Sequence, residues 1–280
     1  MHRALCGSLQ GHGPPVSAAS GAAPASFRPA FVAVSLKLYL SHHETLSWCT
    51  AVASLARGCA AIAAGRLELA VLPALTAVSP AGEILRPARV ALGAQDLWVE
   101  DRGPYTGEVS GADLAALGCR YAEIGHAERR RLFGETDALI GRKLAAATRS
   151  GLTPLLCVGE TERRDARAAA GTCLSQLRAA LAGAGDPAPA ELVVAYEPVW
   201  AIAAEAPAPP AHIATVCAAI KEWAQRAPAA PRLRVIYGGT AGEGLVAQLG
   251  DSVDGLFLGR SAHDPTRLAR VLDEFGPGAR

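Results

Sequence analysis

Aromatic residues make up only 5% of this 280-residue chain and methionine occurs once, so a packed core has to rest on Ala, Leu, Val and Ile. Net charge is equally scarce: 27 Lys and Arg against 26 Asp and Glu leave +1. That balance gives no electrostatic case for binding nucleic acid or a membrane surface. No apolar run approaches the length of a transmembrane helix. The seven cysteines (Cys6, Cys49, Cys59, Cys119, Cys157, Cys173 and Cys217) include no Cys-x-x-Cys pair. An odd, scattered set predicts free thiols in a reducing compartment, hence a cytoplasmic location, and argues against a metal centre. Also missing is a Gly-rich turn after the first predicted strand, where the chain reads Ser35-Leu36-Lys37-Leu38-Tyr39. An open, dinucleotide-binding sheet usually carries one there.

What the chain does have is 50% hydrophobic residues, enough for a substantial core. Residues 1–29 stand apart, rich in Gly, Pro, Ala and Ser without apolar periodicity. They predict a disordered extension, and they lack the continuous apolar stretch of a signal peptide. From Ala30 short apolar runs alternate with longer helical stretches. Strands are expected over Ala30–Ser35, Leu67–Leu72, Arg89–Gly93, Tyr121–Gly125, Leu152–Val158, Leu192–Tyr196, Leu233–Tyr237 and Val253–Leu258. Helices are expected over Glu44–Ala64, Pro80–Leu85, from Ala127 to Phe133, Glu160 to about Ala184, His212–Gln225, Glu243–Leu249 and Thr266–Phe275. Eight apolar strands separated by helices call for a parallel sheet covered by helices. Eight such units within residues 30–280 match a single-domain α/β fold, a closed (β/α)8 barrel.

Enzymes of that architecture place reactive groups at the C-terminal ends of the strands. Those positions hold Lys37, then Gln95 and Asp96, His126, Cys157 and Gly159, and Glu197. Strand seven ends in Tyr237-Gly238-Gly239-Thr240 and strand eight in Gly259-Arg260-Ser261. His126, between Gly125 and a charged helical segment, meets the positive end of a helix dipole. That placement suits a neutral imidazole donating to a polarised carbonyl. Glu197 is the one well-placed base, Lys37 a cation, and the glycine-bearing turns can present backbone amides to a phosphate dianion. Each has a plainer reading: Lys37 as an exposed lysine, Glu197 as a solvated loop carboxylate, the glycines as turn geometry, Arg129 to Arg131 as a charged helix face. Together they suit proton abstraction beside a carbonyl on a phosphorylated substrate, with no metal and no organic cofactor.

The stretch Ile124-Gly125-His126-Ala127-Glu128-Arg129-Arg130 resembles a signature of the triosephosphate isomerase family. Six further segments follow the family in order: Gly93-Ala94-Gln95-Asp96, Tyr105 to Ser110, Phe133-Gly134-Glu135-Thr136-Asp137, Leu156 to Glu160, Ala195 to Ile202, and Tyr237-Gly238-Gly239. The resemblance spans roughly Phe31 to Phe275. It implies Glu197 as the base that moves a proton through an enediolate, neutral His126 as the electrophile, and Lys37 as charge near the oxyanion and phosphate. It implies that Glu128 and Arg129 orient those groups. It further implies a homodimer through the Asp96 to Glu108 loop, with Thr106 entering the neighbouring subunit, and a small sugar phosphate as substrate. The substrate-facing residues implied are Ser35, Lys37, Ala203, Gly238, Gly239, Thr240, Gly259 and Arg260.

Several positions depart from the family pattern. Ser35 stands where the family has Asn, and Ala127 where it has Ser. The lid reads Ala201-Ile202-Ala203-Ala204-Glu205-Ala206-Pro207-Ala208 in place of a Gly-rich tip. Arg260 replaces a glycine. Dihydroxyacetone phosphate and glyceraldehyde 3-phosphate are the family-default substrate pair. A four-carbon ketose phosphate such as L-erythrulose 1-phosphate is the alternative, and a non-catalytic phosphate-binding barrel is the alternative of another class.

Overall fold

The computed structural model describes residues 28–227 and 230–276. The expected disordered extension lies outside the described residues as far as residue 27. Eight parallel strands close into a barrel in chain order: β1 (Ala30–Ser35), β2 (Leu67–Leu72), β3 (Ala91–Ala94), β4 (Cys119–Ile124), β5 (Thr153–Val158), β6 (Glu191–Tyr196), β7 (Arg232–Tyr237) and β8 (Gly255–Leu258), with β8 pairing back onto β1. Strand side chains alternate between two buried faces, which is why each strand reads as a nearly unbroken apolar run. Phe31 and Ala33 of β1, Tyr121 of β4, Val193 and Ala195 of β6 and Phe257 of β8 fill the interior. Val32, Val34, Leu192 and Val194 face the surrounding helices. The scarce aromatics are concentrated here: Tyr121, Tyr196, Tyr237 and Phe31 are fully buried.

A polar plug closes the N-terminal end of the barrel. Arg234 pairs with Glu68 at 2.7 Å, Tyr121 donates to Glu68 at 2.6 Å, and the Arg234 guanidinium lies 4.3 Å from the Phe31 ring centroid. Access to the interior is left to the opposite end, where the strands deliver their C-termini.

The helices depart from the sequence reading in ways with local causes. The expected helix over 44–64 starts at His42 behind a Ser41/Glu44 capping box and stops at Gly58. Cys59 is extended, and a short turn over Ala60–Ala63 follows. A glycine at the end of a helix lowers the cost of that break. The helix expected from Glu160 begins at Ala166, because Asp165 caps it by accepting from the amides of Arg167 and Ala168. Two helices went unpredicted. Gly111–Ala116 is too short to show a period. Asp137–Arg149, capped by Thr136, buries Ile140, Leu144 and Ala147 but interleaves them with four basic or acidic side chains. Among the described residues no helix is long and apolar enough to cross a membrane, and no group of three His, Cys, Asp or Glu could hold a metal ion.

Candidate active site

A cavity of about 300 Å³ opens at the C-terminal end of the barrel. Ser35, Lys37, His126, Glu128, Glu197, Ala203, Gly238, Gly239, Thr240, Gly259 and Arg260 all line it. Of the remaining strand-end candidates, Cys157 is buried beneath the floor, and Asp96 faces away into an ion network.

His126 is the N-cap of Ala127–Phe133, and its Nδ1 accepts the Glu128 amide at 3.1 Å. A nitrogen that accepts carries no proton, so the single N–H of the ring is on Nε2. Nε2 lies 3.6 Å from Glu197 Oε2. That hydrogen bond places the N–H of a neutral ring on Nε2, the nitrogen that faces Glu197.

Glu197 follows β6, is 5% exposed, and its Oε2 has no hydrogen-bond partner within the protein. A buried carboxylate oxygen without a partner is costly, and such groups recur where a ligand completes the bonding. Two glycines make the position possible. A Cβ at Gly238 would lie 2.7 Å from Glu197 Cγ, and one at Gly159 would collide with the Glu197 carbonyl. Gly238 therefore serves by leaving room; its amide is already bonded to Tyr196 O at 2.8 Å.

Lys37 sits at φ 51°, a left-handed conformation costly for a residue with a Cβ. Gln95 stabilises this turn by donating to the carbonyls of Lys37 and Leu72 at 3.1 and 2.9 Å. Lys37 Nζ meets Glu128 Oε1 at 2.7 Å. Burial alone would lower its pKa, but the Glu128 hydrogen bond and charge, with Glu197 and Glu123 nearby, hold it above the usual value. The lysine is thus a fixed cation. Arg129 does not reach the cavity. It pairs with Asp96 and Glu135, which also hold the buried Lys143, so the Asp96 loop is anchored to the helices after β4.

Ile202, Ala203 and Ala204 of the segment 201–208, expected from the resemblance to be a lid, line one side of the cavity. Thr240 is bound to that segment twice, its amide donating to Ala201 O at 3.0 Å and its hydroxyl to Ala201 O at 2.8 Å, with Ala204 O at 3.1 Å from that hydroxyl. Tyr237 OH accepts the Ala208 amide at 3.0 Å. Thr240 therefore acts here as a lid anchor. Ala203 adopts φ 57°, keeping the backbone path a glycine would take. Where the lid leaves β6, Trp200 and Tyr196 both donate to the buried Glu160, at 2.7 and 3.1 Å.

Sequence reasoning missed Arg267, which joins Lys37 and Arg260 around the cavity, and Tyr39, whose ring centroid lies 6.0 Å from the Arg260 guanidinium. Burial and the positive charges of Arg260 and Lys37 push His263 below its usual pKa, a sign of the local positive field. Such a field suits a phosphate dianion. Glu123 was missed too. It is 3% exposed, under the cavity floor, and accepts from Ser35 Oγ at 2.8 Å. Its signal was available: a lone acidic residue within the apolar run Tyr121 to Ile124.

A family profile described as triosephosphate isomerase matches residues 30–275. The chain is 48% identical over 250 residues to L-erythrulose-1-phosphate isomerase of Pectobacterium atrosepticum, covering 89% of this chain and 96% of that protein. It is 42% identical over 212 residues to triosephosphate isomerase of Symbiobacterium thermophilum, covering 73% and 82%. The crystal structure of triosephosphate isomerase from Bartonella henselae superimposes with a TM-score of 0.74 at 29% identity, covering 87% of this chain and 98% of that one.

Proposed function

This chain belongs to the triosephosphate isomerase family, and from that premise we propose that it isomerises a short ketose phosphate, with L-erythrulose 1-phosphate the favoured substrate. The observation that carries the chemistry is the unpartnered Glu197 Oε2 facing His126 Nε2 in a cavity that also holds Lys37. Glu197 takes the proton from the carbon next to the carbonyl, on the side away from the phosphate. The resulting enediolate is held by the His126 N–H and by the charge of Lys37. His126 moves a proton between the two oxygens, and Glu197 returns its proton to the former carbonyl carbon. Atoms balance: the carbonyl moves by one carbon and nothing is oxidised overall. Gly239, Gly259 and Arg260 hold the phosphate, and the lid at Ala203 excludes water.

The four-carbon substrate is favoured by the near full-length similarity to the Pectobacterium enzyme and by Ser35, which is shorter than the asparagine the family carries. Dihydroxyacetone phosphate and glyceraldehyde 3-phosphate are the second reading, supported by the retention of Glu197, His126 and Lys37 and by the Symbiobacterium relative. Homodimer formation through the loop 96–108 is part of the proposal. The supporting feature is a groove flanked by Leu75 and Phe133, respectively 49% and 66% exposed, beside Gly107 and Glu108 of that loop. A cytoplasmic location fits the free, mostly buried thiols.

The test is turnover of both ketose phosphates by the purified protein, followed by NMR in D2O, where exchange of the abstracted proton reports on the enediolate. A kcat/KM for L-erythrulose 1-phosphate at least about tenfold above that for dihydroxyacetone phosphate is expected, the scale of one small group in a pocket. A preference for the triose by that margin installs the second reading, and no turnover of either refutes the assignment.

A further inference from the structure

Glu123 is a buried acid that the isomerisation described above does not use. Burying a carboxyl group is unfavourable unless something is gained, and the interior position on β4 could be filled by an apolar side chain, as its register partner Leu155 on β5 shows. Its electrostatic neighbours are His126, Glu197 and Lys37. Its hydrogen-bond donor is Ser35, at the end of β1 and on the cavity wall.

The hydroxyl of a serine has one proton and two lone pairs. With the Ser35 proton donated down to Glu123, the face of Ser35 toward the cavity offers lone pairs only. Carbonyl and phosphate oxygens are also acceptors and gain nothing from such a group. A substrate hydroxyl, which brings a proton, does. An asparagine at this position would present amide donors as well, so the exchange to serine changes the polarity of the wall along with its volume.

The chemistry of a four-carbon ketose 1-phosphate supplies that hydroxyl. If phosphate and carbonyl keep the spacing they have in a triose, the carbon that yields its proton to Glu197 carries a hydroxymethyl group where the triose carries hydrogen. Resting on the four-carbon reading above, we propose that Ser35 and Glu123 form a hydroxyl-accepting pair that recognises the terminal CH2OH of the substrate. Ser35 makes the contact. Glu123 is a positioning residue that fixes the direction of the serine proton.

The experiment compares the ratio of kcat/KM for L-erythrulose 1-phosphate to that for dihydroxyacetone phosphate in the parent and in Ser35→Ala, Glu123→Leu, Glu123→Gln and the Ser35→Ala/Glu123→Leu double variant. Circular dichroism checks the fold of each. The ratio is expected to fall at least about tenfold in Ser35→Ala and in Glu123→Leu, and no further in the double variant, because the two side chains act as one unit. Glu123→Gln keeps an oxygen for Ser35 to donate to and is expected to hold the ratio within about threefold of the parent. If Glu123→Leu fails to fold, Ser35→Ala and Glu123→Gln carry the test. Equal losses on both substrates, or an unchanged ratio in Ser35→Ala, overturn the pair as a recognition device. A parent that turns over the four-carbon substrate while the variants leave the ratio unmoved refutes this inference alone. A parent inactive on the four-carbon substrate refutes the substrate reading as well.

Discussion

Replacing Glu123 by Gln should make the protein more stable above neutral pH, by an amount the structure sets. Burial pushes the Glu123 carboxyl from 4.5 up to about 7, with Glu197 adding to the rise and the Ser35 hydrogen bond and the charge of Lys37 opposing it. The unfolded chain loses this proton near 4.5, so between pH 4.5 and 7 the native state binds more protons. Stability from this group is fully present below 4.5 and is lost as pH rises through 7. A shift of that size corresponds to about 3 kcal/mol, with a slope of at most about 1.4 kcal/mol per pH unit. Glutamine has nearly the same shape and no such titration. Urea unfolding of both proteins from pH 4.5 to 8.5, at one fixed protein concentration, gives two stability curves. Their difference cancels the histidines and every other shared group. The variant is expected to gain on the parent steadily from pH 4.5 to 7 and to level off above. Parallel curves, or a gain on acidification, would refute the argument that Glu123 is charged at the expense of burial.

Glu197→Asp and His126→Gln should each lower kcat by on the order of 10²–10⁴ with circular dichroism unchanged, and near-parental kinetics in either would remove its proton-handling role. Lys143→Met removes the buried one of the two cations that Asp96 and Glu135 share, Arg129 being the other, and should cost about 3–5 kcal/mol in urea unfolding; a loss below about 1 kcal/mol would show that Arg129 alone sustains the network. Ala203→Gly suits the φ of 57° and should change stability by under about 1 kcal/mol, whereas Ala203→Val should raise KM for the phosphorylated substrate through lid strain. Equal KM values for the two lid variants would count against a strained contact at that position.

The barrel was legible because strands buried on both faces print unbroken apolar runs, and eight of them appear at regular intervals. Five of the seven segments resembling the isomerase family lie at strand ends, where chemistry leaves less freedom than packing does; Tyr105 to Ser110 lies in the loop after β3 and Phe133 to Asp137 between two helices. Helix boundaries were less legible because caps decide them. Asp165 moves the start of one expected helix, and Thr136 starts one that was not expected, by bonding amides that the apolar pattern does not register.

Local sequence determined the fold class, the positions of Lys37, His126 and Glu197 at strand ends, and the His126 turn whose own amide at Glu128 selects the ring tautomer. Tertiary structure decided what depends on distant residues meeting. Ser35 and Glu123 are 88 positions apart and become one hydrogen-bonded pair only when β1 and β4 face each other across the closed barrel. Thr240 became a lid anchor because the segment beginning at Ala201 folds back over β7. Gly238 was needed for space beside Glu197, which a linear reading took for an anion-binding turn. Hydrogen bonds and excluded volume act over a few ångströms, so partners far apart in the chain leave no periodic trace in it, while helix and strand patterns repeat every few residues and do.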